Sequence, residues 1–118
     1  MSFNTELFAA LKTLVNNRVY PKVGPVGVAR PYITYARTGG ASTNFVDPTL
    51  PGKRNGRYQV NVWADTTEQA DALALQVESI LRLSPTLQTT VLGEPVDIYE
   101  ADTKLHGTRQ SFSFWLNT

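Results

Sequence analysis

Between Arg57 and Ala64 apolar and polar side chains alternate without a slip, with Tyr58, Val60 and Val62 on one face and Gln59, Asn61 and Trp63 on the other. A period of two belongs to a strand with one face in a core. Directly afterwards the period changes. Ala70, Leu73, Ala74, Val77, Ile80 and Leu81 recur at three and four, the stripe of an amphipathic helix. Asp65-Thr66-Thr67-Glu68 has the form of a capping box, in which Asp65 accepts from the Glu68 amide and the Glu68 side chain reaches back. Pro85 forces Ser84 away from helical angles, so the helix is expected to end near Leu83. A half-buried strand feeding a one-sided helix commits the chain to a sheet with helical cover.

The flanking segments fill in that plan. Phe3, Leu7, Leu11, Leu14 and Val15 predict a first helix over residues 5–16, with Ser2 or Asn4 as its cap and Asn16-Asn17 as its stop. The density of proline and glycine from Val19 to Pro31 predicts an irregular connection. Tyr32 to Arg37 is β-branched and aromatic, a strand closed by Gly39-Gly40. Residues 39–55 show neither period and predict an extended interaction loop. Strand-like pieces follow at Thr89 to Leu92 and Val96 to Tyr99. A final strand sets Gln110, Phe112, Phe114 and Leu116 against Arg109, Ser111, Ser113 and Trp115. The expected fold is α+β: one domain over residues 1–118, a mostly antiparallel sheet whose face of Tyr58, Val60, Val62, Phe112 and Phe114 is covered by two helices. Its other face carries Gln59, Asn61, Ser111 and Ser113 with Trp63 and Trp115 among them. Those tryptophans read either as interface anchors or as partly buried core.

Composition narrows the function. Eleven basic against ten acidic residues leave a formal charge of +1, which points to protein partners rather than general nucleic-acid binding. The chain has no cysteine, so it holds no disulfide, thiolate metal site or cysteine nucleophile. No basic-then-apolar leader opens the sequence and no apolar run reaches the ~20 residues a membrane helix needs, so a soluble, non-exported protein is expected.

Candidate chemistry is sparse. His106 is the single histidine and reads as an ordinary surface or strand-end residue. Glu94, Asp97, Glu100 and Asp102 could supply paired carboxylates or a hard-cation site, but their spacing matches no ligand loop and a solvated strand edge accounts for them. The glycines form no phosphate-binding pattern. No cofactor, metal or catalytic set is expected. Lys53, Arg54 and Arg57 form a small basic patch beside the long loop, either a partner contact or a solvated tip.

The order of these pieces resembles the tail completion (tail terminator) family of long-tailed bacteriophages and prophages. The likeness runs nearly end to end, through Arg18-Val19-Tyr20-Pro21, Arg30 to Tyr35, Arg57 to Ala64, Asp97 to Glu100 and Ser111 to Trp115. It implies a non-enzymatic virion protein, assembled in the bacterial cytoplasm. It also implies a ring, expected to be a hexamer, on the head-proximal end of the tail tube. Such a ring stops growth of the tail tube protein, offers a surface to head connector proteins, and lets genomic DNA pass through its lumen without sequence-specific binding. A tube grows by repeating one head-to-tail interface, and a cap with a different outer face cannot propagate it. The candidate contact residues are Phe45, Asp47, Lys53 and Arg54 of the loop, with Arg57, Trp63 and Trp115. A connector or neck subunit is the neighbouring reading, and a small enzyme or ligand-binding domain using the acidic cluster a more distant one.

Overall fold

The computed structural model describes residues 2–25, 27–42 and 52–117. Helix α1 spans Phe3–Leu11, and a 3-10 turn over Lys12–Leu14 extends it. Ser2 caps α1 by accepting from the Thr5 amide at 3.1 Å. Asn16 and Asn17 take left-handed φ angles of 49° and 67° and end it, asparagine being tolerant of that region. The helix therefore starts two residues before the expected Thr5 and tightens where a regular α-turn was expected.

Six strands follow the pattern β1 Val19–Pro21, β2 Tyr32–Gly39, β3 Lys53–Ala64, β4 Thr90–Val91, β5 Val96–Glu100 and β6 Leu105–Asn117, with helix α2 at Thr67–Arg82 between β3 and β4. They form one sheet in the order β1-β2-β3-β6-β4, with β5 on the same side of β6 as β4. All pairs are antiparallel except β1 with β2. The fold is thus the α+β arrangement of two helices on a mostly antiparallel sheet.

Three local expectations are corrected. Val19–Pro21 is not irregular: Val19 is buried in the core and aligns with Ile33, so a short parallel strand forms before the prolines and glycines take over. Lys53, Arg54 and Asn55 belong to β3, opposite Asn117, Leu116 and Trp115, and not to a loop. Backbone pairing to β6 carries the strand past Gly56 although the side-chain alternation fades there. Phe45 and Asp47 lie outside the described residues. Finally, α2 is capped by Thr66, whose hydroxyl accepts from the Gln69 amide at 3.1 Å, while the Gln69 side chain accepts from the Asp65 amide at 3.3 Å. The cap sits one residue later than Asp65 and Glu68 because Asp65 is engaged by Arg30 at 2.9 Å.

The core lies between the helices and one face of the sheet. Leu7 and Leu11 from α1 and Leu73, Val77 and Leu81 from α2 pack with Ile33, Val60, Val62, Phe112 and Phe114. Tyr58 is 1% exposed, with its ring 5.7 Å from both Phe3 and Phe114 and its hydroxyl 3.0 Å from the Arg37 guanidinium that donates to it. Burying each such ring is worth about 2 to 3 kcal/mol. Gln110, which the alternation places on this apolar face, is indeed buried. Its amide nitrogen donates to Glu78 at 2.7 Å and to the Gly93 carbonyl at 2.9 Å, which offsets its desolvation.

Candidate interaction surface

Because β3 and β6 pair over their whole length, their outward residues form two continuous rows, Asn55, Arg57, Gln59, Asn61 and Trp63 beside Trp115, Ser113, Ser111, Arg109 and Gly107. No described helix packs on this side. The polar centre is low and close-set: Gln59, Asn61, Ser111 and Ser113 are all half-buried, and Thr34 of β2, alongside Asn61, is only 3% exposed.

The two tryptophans occupy opposite ends of this face. Trp63 stands opposite Gly107, and Trp115 lies on β6 beyond it by about 26 Å at the rise of a strand. Trp63 is covered from within the chain. It stacks on Tyr32 at 6.5 Å and 28°, Tyr32 meets Tyr20 edge-on at 6.3 Å, and the indole N–H donates to the Thr34 hydroxyl at 3.3 Å. Burial, with the charge of Glu100 second, pushes the Tyr32 phenol above its ordinary value of 10.0. Trp115 is half-buried beside Asn55, whose side-chain amide donates to the Ser113 hydroxyl at 2.8 Å and the Phe114 carbonyl at 2.9 Å.

The basic residues gather at the Trp115 end. Lys53 and Arg54 open β3 and are exposed, with Lys53 donating to the Gln88 side chain at 2.9 Å. Arg57 is exposed on the outer face opposite Ser113. Arg57 and Trp115 thus share one end of the face with Lys53 and Arg54, while Trp63 stands apart.

The residues weighed for chemistry do not assemble. His106 Nδ1 lies 3.4 Å from the Thr67 hydroxyl and its ring packs against Tyr99 at 4.9 Å. An open cleft of about 350 Å³ here is lined by Thr67, Asp97, Ile98, Tyr99, His106 and Gly107. Asp97 is its one carboxylate, and Glu100 does not reach it. Among the described residues no three histidine, aspartate or glutamate side chains gather as a metal set, and no described helix is long and apolar enough to cross a membrane. The residues overlooked by the sequence reading are Val96 and Tyr99, 62% and 56% exposed on β5. Their signal was present as apolar residues interleaved with Asp97 and Glu100.

The fold and surface together define a small α+β domain with a two-helix layer on one side of its sheet and a broad, partly aromatic face on the other. The chain belongs to the family described as tail completion protein gp17, whose sequence pattern matches residues 6–117. No curated protein sequence matches it. Among solved structures it is similar to a chain in the virion of a native gene transfer agent particle, at 17% identity and a TM-score of 0.62, covering 99% of this chain and 96% of that one. It is also similar to the bacteriophage SPP1 gp17 protein, at 20% identity and a TM-score of 0.52, covering 98% of this chain and 84% of that one. At these identities the likeness carries the fold alone.

Proposed function

We propose that this chain caps the head-proximal end of a phage tail tube as a ring of about six copies, a closed arrangement that stops further addition of tube protein. Head connector proteins dock on its outer surface, and genomic DNA passes through its lumen without being read. The observation that carries this reading is the family match over residues 6–117. The molecule's own construction supports it. A subunit that meets a neighbour, a tube and a connector needs unlike surfaces, and here the helix layer, the outer sheet face and the two ends of the β3–β6 ladder differ in chemistry. Lys53, Arg54, Arg57, Trp63 and Trp115 are the contact residues assigned in this reading, with Phe45 and Asp47 from the connection between β2 and β3. The work contains no chemical step.

Electron microscopy of particles from a phage or prophage lacking the gene tests it, with tail length and head attachment both scored. Overlong tubes are expected. Tails of normal length without heads would move the chain to a connector role, and normal infectious virions would end the assembly reading.

A further inference from the structure

The formal charge of +1 hides two charged ends. The molecule measures 53 × 25 × 23 Å with a radius of gyration of 15.2 Å, against about 13.5 Å for a compact chain of this length. At one end of the β3–β6 ladder stand Lys53, Arg54 and Arg57. At the other, Asp65 follows β3, Glu68 lies in the first turn of α2, and Asp97, Glu100 and Asp102 line β5 and the turn after it. The cations there are Arg18, whose guanidinium donates to the Pro31 carbonyl, Arg30, bound to Asp65, and Lys104 and Arg109, so the carboxylates outnumber them by one.

Strand β5 pairs with β6 on one side and with no described strand on the other. Charge on such an edge is ordinary protection against stray pairing. Protection does not call for exposed apolar residues, yet Leu92, Val96 and Tyr99 are 45%, 62% and 56% exposed within eight residues of sequence. Val96 and Glu100 stand on the outer face of β5 and Asp97 and Tyr99 on the helix face, so each side of the free edge sets one exposed apolar side chain beside one carboxylate. Apolar contact bordered by charge is the make-up of a protein interface. The complementary rim is on the same chain, at the far end of the ladder. A contact between two unlike patches of identical subunits is heterologous, the kind that closes into a ring.

We propose that the acidic free edge of β5, with Val96 and Glu100 on one face, Asp97 and Tyr99 on the other and Asp102 in the turn after it, receives the basic end of a second copy, carrying Lys53, Arg54 and Arg57. This rests on the ring reading above and supplies its subunit contact. The exchange of charge steers each subunit to its neighbour and rejects the reversed orientation, in which like charges meet.

Charge swapping in a complemented phage tests the contact. One variant carries Lys53→Glu and Arg54→Glu, a second Asp97→Lys and Glu100→Lys, and a third all four changes. All four side chains are exposed, and circular dichroism of each purified variant verifies the fold. If a variant fails that control, Arg57→Glu with Asp102→Lys takes its place. Each one-sided variant is expected to lower infectious yield about a hundredfold, and the four-fold swap to restore it to within about tenfold of the parent. Co-expression of the two one-sided variants restores it as well, since they alternate around a ring with every contact complementary. A swap as defective as its halves, or one-sided variants without effect, overturns the proposal. Either result leaves the tail completion reading intact, because that depends on the phenotype of the gene deletion.

Discussion

Trp63 and Gly107 stand opposite each other on β3 and β6, so close that a Cβ on Gly107 would meet Trp63 Cε3 at 2.9 Å. The same atom would crowd the Val62 carbonyl and lie 3.2 Å from Ile98. A glycine here lets the indole lie down across the neighbouring strand and stack on Tyr32. Gly107→Ala is therefore expected to cost about 2 kcal/mol through overpacking, read as a lower urea midpoint. An unchanged midpoint would mean that both the Val62 carbonyl and the indole give way without cost.

Trp63 and Trp115 should part company on substitution. Trp63→Ala removes the Tyr32 stack and the bond to Thr34, and is expected to lower stability by about 2 kcal/mol. Trp115→Ala should lose less stability and more infectivity, since its cover is assigned to a partner. Thermal melts paired with plaque counts decide it, and the reverse ranking would remove Trp115 from the contact residues.

Glu78 titrates with a sign that can be checked. The hydrogen bond from Gln110 holds its carboxyl below the ordinary 4.5, helped by Arg82 and opposed by burial. A depressed folded value stabilises the protein above pH 4.5, and that contribution disappears as pH falls through the lowered value. Glu78→Gln should flatten the loss of stability that sets in as pH falls below 4.5. Equal slopes for parent and variant would contradict this. Gln110→Leu, which strips both bonds from a buried site, should cost about 1 to 2 kcal/mol at neutral pH.

The helix cap gives a contrast within one turn. Thr66→Ala should cost about 1 kcal/mol, whereas Glu68→Gln should be close to neutral because Glu68 is not the residue that closes the cap. Chemical denaturation of the two variants separates them, and the opposite order would restore the Asp65 and Glu68 arrangement.

Most of the sheet could be read from the sequence because β3, β6 and α2 each bury one face, and burial imprints a period of two or of three to four. Where pairing is decided by backbone, the imprint fades. Lys53 to Gly56 carry no alternation yet extend β3, and Val19–Pro21 is too short to show one before its proline. The Thr66 cap escaped because the choice between two adjacent boxes turns on Arg30, which reaches Asp65 from another part of the chain. The same holds for Gln110. Its place on the apolar face was legible, but its partner Glu78 is met only through folding. Of the candidate surface, Arg57 and the tryptophans fell where the alternation put them. Val96 and Tyr99 were visible as apolar residues interleaved with Asp97 and Glu100, but their exposure was not, since exposure on an edge strand depends on which strand lies beyond it.

The central position of β6 has a consequence for synthesis. It joins β3 to β4 and β5, and Lys53 waits for Asn117, which lies 64 positions further along the chain. Pairings this distant close slowly. On the ribosome, residues 2–104 hold β2 and β3 without the strand that completes their core, so Tyr58 and Val60 lack Phe112 and Phe114. A nascent or truncated chain that stops short of β6 has no finished sheet to present.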